Sequence, residues 1–289
     1  MIIKKEIILK KAQKQGWAIG QFNISNQETL KAIFQAAKKL KSPVIIGTSE
    51  GESNYVGLDE AVALVRAFEK KTGVPAILNL DHGKSFEYIK GAIAAGYDSV
   101  HFDGSKLPLK KNIEIAKKIV EYAHKKNTLV EGEVGIIRGV SESLKNVPEM
   151  KKKDLTKPEE ALEFIKKTGV DSLAINIGTF HGVKALGQSP HIDLQRLKEI
   201  KEKLGNRVFL VLHGGSGTPD SDIKKAIKLG IVKININTDL RIAFTNNLKK
   251  VFQKKLKETT PYKYMPEVVE AIQKVVEEKI KLFNSVNKI

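Results

Sequence analysis

The chain of 289 residues has no cysteine, one tryptophan, few arginines and no apolar run long enough to span a bilayer. Without cysteine there is no disulfide and no thiolate ligand, so any bound transition metal must rest on imidazole and carboxylate. The opening Met1-Ile-Ile-Lys-Lys-Glu6 carries charge where a secretion signal needs an apolar core. A cytoplasmic protein without membrane contact is the expectation. Arginine is confined to Arg66, Arg138, Arg196, Arg207 and Arg241, so the formal net charge of +17 is almost all lysine. Those lysines alternate with glutamate at helical spacing, as in Glu199-Ile-Lys-Glu-Lys203, which marks solvated helix faces. With no zinc finger, paired RNA-stacking aromatics or basic arm, no nucleic-acid partner is expected. No linker rich in proline, serine or glycine divides the chain, so residues 1–289 read as one domain.

What is present is an alternation of short apolar runs and longer amphipathic ones. Strand candidates are 17–21, 44–47, 76–80, 99–102, 128–131, 172–175, 208–212 and 232–236. Helical periodicity fills the gaps near 26–40, 58–72, 85–95, 109–126, 157–168, 192–204, 219–229 and 238–258. Gly73, Gly96, Gly169 and Gly230 stand before strands, where helices commonly end on glycine. Eight strand–helix units point to an α/β fold, a (β/α)8 TIM barrel, rather than an open sheet. An extra helix near 265–284 forms a C-terminal extension over about 260–289.

Such a barrel gathers its chemistry at the C-terminal ends of the strands. Polar, reactive residues follow all eight candidates: Asn23; Thr48-Ser49-Glu50; Asp81-His82-Gly83; Asp103-Gly-Ser105; Glu131-Gly-Glu133; Asn176 through His181-Gly182; His213-Gly-Gly-Ser216; and Asn235-Ile-Asn-Thr238. His82, His181 and His213 give three imidazoles without sulfur, the ligand count of a catalytic zinc site with one position open. His101, one residue before the Phe102-Asp103 pair, is expected to face a helix, and His124 and His191 to be structural. Asp81 suits either a helix cap for the segment at Ser85 or proton exchange with a hydroxyl. Asp103 and Glu133 could hold a second cation or support the histidines. Gly214, Gly215, Ser216, Asn235, Asn237 and Thr238 lie where barrels commonly bind phosphate, and Lys184 could add a positive charge.

Six of these motifs, Asp81-His82-Gly83, Phe102-Asp103-Gly104-Ser105, Glu131-x-Glu133, Gly178-x-x-His181-Gly182, His213-Gly-Gly-Ser216 and Asn235-x-Asn-Thr238-Asp-Leu-Arg241, together resemble the class II, zinc-dependent fructose-bisphosphate aldolases, a family that includes tagatose-bisphosphate aldolases. The resemblance implies zinc on His82, His181 and His213, and a second divalent cation at Asp103 and Glu133. It also implies Asp81 as the acid–base residue, and substrate contacts from Asn23, Ser49, Gly182, Lys184, the Gly214–Ser216 turn and Asn235 to Thr238. Na+ or K+ near the phosphate and a homodimer or homotetramer are further implications. The substrate would be a ketose bisphosphate, cleaved reversibly to dihydroxyacetone phosphate and an aldehyde phosphate; a non-catalytic sugar-phosphate or nucleic-acid binding barrel is the contrasting reading.

Three departures stand out. The family's Gly-Gly-x-Glu-Asp loop reads Arg138-Gly-Val-Ser-Glu142-Ser143, which leaves Glu142 as the carbon-acid base with a loop shift required. The Asp-Pro-Arg-Lys segment reads Thr260-Pro-Tyr262-Lys263, removing the usual arginine for a second phosphate. In His181-Gly-Val-Lys184 the lysine stands one residue nearer the histidine than is common.

Overall fold

A computed structural model describes residues 2–146, 148–184 and 190–289. Eight parallel strands close a barrel: β1 (Ile19–Asn23), β2 (Val44–Ser49), β3 (Ala76–Gly83), β4 (Ser99–Phe102), β5 (Leu129–Val134), β7 (Ser172–Ile175), β9 (Phe209–Leu212) and β10 (Ile231–Ile236). β1 pairs with both β2 and β10, which completes the circle. Each expected strand is present, several of them extended toward the C-terminal mouth. Two further strands, β6 (Arg138–Leu144) and β8 (Phe180–Lys184), pair in parallel outside the barrel.

Side-chain alternation sorts the apolar residues into two layers. One face of the strands, including Phe22, Ile46, Leu78, Leu80, Val100, Val130, Leu210 and Ile234, packs against the helices. The opposite face supplies Ile19, Ile45, Ile77, Leu129 and Phe209, joined by Val232 at a register shift of β10 between Ile231 and Lys233, to a smaller interior cluster at the N-terminal end. That cluster is capped by Leu9 and Ala12 of α1 (Ile2–Gln15), a helix the sequence reading did not anticipate.

Local chemistry sets the helix ends. Asn26 accepts from the Thr29 amide to start α2 (Gln27–Leu40). Ser49 and Glu52 form a reciprocal capping box on α3 (Glu50–Val56), which precedes α4 (Leu58–Thr72). Ser85, not Asp81, caps α5 (Phe86–Ala95), so the capping alternative for Asp81 falls away. The remaining helices are α6 (Leu109–His124), α7 (Pro158–Thr168), α8 (Leu194–Leu204), α9 (Asp220–Lys228), α10 (Thr238–Lys254) and α11 (Pro261–Leu282). α11 packs against α2 and touches α9, so it closes the helical ring, while α10 lies against α11, β6 and β8. No helix among the described residues is long and apolar enough to cross a membrane.

Candidate active site at the barrel mouth

A bulge in β3 builds the first half of the site. β3 and β4 run in register through Leu80 and Val100, then resume at Gly83 and Phe102, so β3 carries one extra residue at Asp81-His82. His82 takes φ 52°, the left-handed region that non-glycine residues seldom enter. Strict alternation would send His82 to the helix side with Leu80. The bulge turns both Asp81 and His82 into the mouth.

Asp81 is buried and accepts hydrogen bonds from Asn23 Nδ2 at 2.9 Å and Asn235 Nδ2 at 3.1 Å. Burial pushes its carboxyl up, but positive charge on the neighbouring imidazoles, His82 foremost, outweighs that, so it stays well below its ordinary range. Asn23 also donates to Glu52, which receives Asn237 Nδ2 at 3.1 Å and Arg241 at 2.6 Å. Asparagines and a carboxylate thus hold Asp81 from behind. A cavity of about 260 Å³ opens beside Asn23, Glu52, Asn237 and Arg241.

The imidazoles are oriented by carboxylates. His82 Nδ1 lies 2.9 Å from Asp103 Oδ2, and Ser105 donates to the other Asp103 oxygen at 2.6 Å. His213 Nε2 lies 2.8 Å from Glu131 Oε1, whose second oxygen meets buried Lys233 at 2.5 Å. Both carboxylates are ionised: burial raises them, but His82 at Asp103, and Lys233 and His213 at Glu131, hold each far below its usual range. Each therefore takes an N–H from its imidazole, which in the neutral rings leaves the lone pairs on His82 Nε2 and His213 Nδ1. These two face each other at 3.1 Å. Two lone pairs cannot remain so close unless a proton or a cation lies between them. The His82 ring stands 4.9 Å from His181 and 4.8 Å from His213, with 6.1 Å between His181 and His213. Burial and the charges of His82 and His213 push His181 down to about 3, so it is a neutral donor at ordinary pH.

A family model described as class-II fructose-bisphosphate aldolase matches residues 4–288. The chain belongs to that family. It is similar to the YdjI aldolase of Escherichia coli K12, with 32% identity over 97% of this chain and 96% of the other, at a TM-score of 0.82. It is also similar to the fructose-bisphosphate aldolase of Campylobacter jejuni, with 25% identity over 98% and 94% of the two chains and a TM-score of 0.83. Class II aldolases depend on a metal, and the donors fit one: nitrogen and carboxylate oxygen, no sulfur, two free imidazole nitrogens opposed.

Donor atoms within 4.8 Å of one another form two groups, Asp81–His82–His101–His213 and His82–Asp103–Glu133. His181 belongs to neither, although its ring adjoins His82. His101 corrects the expectation that it faces a helix. It is fully buried in the barrel interior, 4.8 Å from the His82 ring and 4.9 Å from that of His213. Its Nδ1 accepts the His82 backbone N–H at 3.1 Å, and its Nε2 lies 3.3 Å from Glu133 Oε2. Burial disfavours charge on His101 while Asp81 and Glu133 raise its proton affinity. The fixed amide nevertheless requires the Nδ1 lone pair, so the neutral Nε2–H tautomer is the form this geometry supports.

The expected phosphate residues lie side by side. Gly214 takes φ 67°, and a Cβ there would sit 2.3 Å from the Phe180 carbonyl oxygen. Gly215 donates its amide to the Asn235 carbonyl, and Ser216 Oγ accepts from the Asp239 amide, which holds the turn beside the start of α10 at Thr238. Gly182 on β8 has φ 106°, with Val140 and Glu142 carbonyls where a Cβ would be. Lys184 ends β8 opposite Leu144, half-buried. Ser49 is engaged as the cap of α3. Glu142 is exposed on β6, outside the buried cluster, where three β6 residues oppose Gly182 alone. The sequence reading gave no site role to His101, Glu131, Lys233, Glu52 or Arg241.

Proposed function

We propose that this chain is a zinc-dependent lyase that reversibly cleaves fructose 1,6-bisphosphate to dihydroxyacetone phosphate and glyceraldehyde 3-phosphate. The observation that carries the reading is the pair of opposed imidazole nitrogens of His82 and His213, 3.1 Å apart beside His181 and next to an ionised Asp81. Zinc bound by His82, His181 and His213 would supply Lewis-acid polarisation of the substrate ketone. Asp103 and Glu133 are the carboxylates for a second divalent cation. Asp81, kept ionised and aimed by Asn23 and Asn235, takes the C4 hydroxyl proton as the C3–C4 bond breaks and returns it in the aldol direction. Glu142 serves the carbon-bound proton at C3 once β6 moves over the mouth. Backbone amides at Gly182, Gly214 and Ser216, with Gly215 fixing the turn, and the α10 N-terminus at Asn237 and Thr238, hold the dihydroxyacetone-phosphate end with Lys184. Na+ or K+ at that phosphate and a homodimer or homotetramer complete the proposal.

A coupled assay of dihydroxyacetone phosphate release, with and without zinc, tests it. Cleavage abolished by chelator and restored by zinc, with no borohydride trapping by substrate, is expected. Activity that survives chelation and is lost to borohydride would sink it, because that is the signature of a Schiff-base lysine. Tagatose bisphosphate or another ketose phosphate is the second reading. It is favoured by one feature: Tyr262, 76% exposed at the start of α11, stands where the family carries an arginine. Relative kcat/KM on the two epimeric bisphosphates decides between them.

A further inference from the structure

We infer that His101 is a positioning residue for the metal centre: its Nδ1 replaces the ladder acceptor that the β3 bulge removes from His82, and so keeps the His82 ring turned inward. The inference rests on the metal-dependent reading above but concerns a residue that reading does not use. Three independent observations converge on it. The register of β3 and β4 breaks opposite His101, with one extra residue at Asp81-His82. The amide thereby taken out of the ladder is that of His82, and it donates to His101 Nδ1 at 3.1 Å. His82 is also the one residue of the cluster in the left-handed region. A buried amide without a partner is costly, and a left-handed histidine is a strained state that persists only where its surroundings impose it.

The other ring nitrogen lies beside a carboxylate. His101 Nε2 stands 3.3 Å from Glu133 Oε2, out of line for a hydrogen bond, and both atoms are buried with no hydrogen-bond partner. Glu133 in turn lies 3.9 Å from His82 Nδ1. His101 therefore spans from a carboxylate of the site to the backbone of a ligand. Without the acceptor at Nδ1, the register could slip back toward regular pairing, which would send His82 to the helix side. The metal would lose a ligand although no ligand had been substituted.

The test compares His101→Asn, His101→Gln and His101→Leu in the full chain, with Co(II) as the probe. Asparagine can place its amide oxygen near the position of Nδ1, glutamine carries it one methylene too far, and leucine has no acceptor. Each protein is stripped of metal and titrated with Co(II) against a competing chelator, and the visible spectrum and the hydrogen exchange of the His82 amide are recorded. The expected result is about 10–100-fold weaker Co(II) binding in His101→Leu and His101→Gln, with a changed spectrum and faster exchange at His82. His101→Asn should stay close to wild type in all three. If the leucine variant fails to fold, the asparagine–glutamine contrast carries the test. Wild-type affinity in the leucine or glutamine variant overturns the inference, and so does an asparagine variant as weak as the others. Wild-type protein that binds no Co(II) would instead bring down the metal-dependent reading itself.

Discussion

The two ends of the barrel are made from the same strands yet are chemically opposite. Along the inward face of β3 the residues run Ile77, Asn79, Asp81; along β5, Leu129, Glu131, Glu133; along β1, Ile19, Gln21, Asn23. Each begins in the apolar cluster under α1 and ends in hydrogen-bonded or ionised groups at the mouth. A cavity of about 550 Å³ lies at the closed end, where Lys5 pairs with Asp98, and Arg66 with Asp98 and Glu69. The mouth instead gathers Asp81, Glu131, Glu133, His101, His213 and Lys233 with little solvent. Burying so many polar groups disfavours folding unless they are mutually paired, so the dry apolar end supplies the stability and the mouth supplies the reactivity.

One strand can break that division most sharply. On β9, Phe209 packs in the lower cluster, and His213 lies just past the strand's upper end. On the proposed ligation by His213, His213→Ala should lower kcat/KM on the cleaved substrate by on the order of 10³-fold or more, since a metal's contribution is worth several kcal/mol. Phe209→Ala should cost about 3–5 kcal/mol of stability while the folded fraction keeps its kcat. Denaturant midpoints and steady-state rates on both proteins check this. If Phe209→Ala lost kcat as heavily as His213→Ala, the two ends would not be functionally separate.

Lys233 sharpens the comparison, because it is a buried cation whose partner serves the site. Lys233→Met removes one partner of Glu131 and should cost about 3–5 kcal/mol at pH 7. The double variant with Glu131→Gln should recover part of that loss, since no buried charge is then left unpaired. The pH dependence has a defined sign. Glu131 is held below its unfolded-state value, so its stabilisation is present above that value and is lost as pH falls toward the folded one. The gap between wild type and Lys233→Met should narrow in acid. A gap that widened between pH 7 and pH 3.5 would show that Lys233 acts on something other than the Glu131 carboxylate.

Much of this was legible from pattern alone, and the failures have physical causes. All eight barrel strands could be read because buried parallel strands need continuous apolar runs. β6 could not, because Arg138-Gly-Val-Ser-Glu-Ser-Leu144 has no apolar alternation and exists only through pairing with β8. Among the described side chains of α1 only Leu9 and Ala12 are buried, which leaves a weak helical stripe. His101 on β4 shares its parity with Asp103 just past the strand's end, so period-two counting already sends both inward. The same count along Val-Lys-Ile-Asn-Ile236 puts Lys233 and Asn235 on one face, and both face the barrel interior. What no count could supply was the bulge at His82, since it depends on the chain paired against it.

The smallest effect should come from a histidine–carboxylate pair outside the barrel. His124 Nε2 meets Asp171 at 3.0 Å, close to the 2.8 Å of His213 and Glu131, but His124 is 44% exposed. The hydrogen bond to Asp171 raises the His124 pKa against its partial burial. Its contribution is therefore full below the unfolded-state value of about 6.5 and is lost as pH rises through the folded value. Solvent screening limits it to a few tenths of a kcal/mol. His124→Gln should lower the melting temperature slightly at pH 5.5 and leave it unchanged at pH 9. Asp171 remains fixed in either protein, because it also accepts the Val130 amide at 2.7 Å. Equal losses at the two pH values would mean that the His124 ring contributes by packing and not by charge. A loss at pH 5.5 as large as that of Lys233→Met at pH 7 would mean that burial does not govern what such a pair is worth in this barrel.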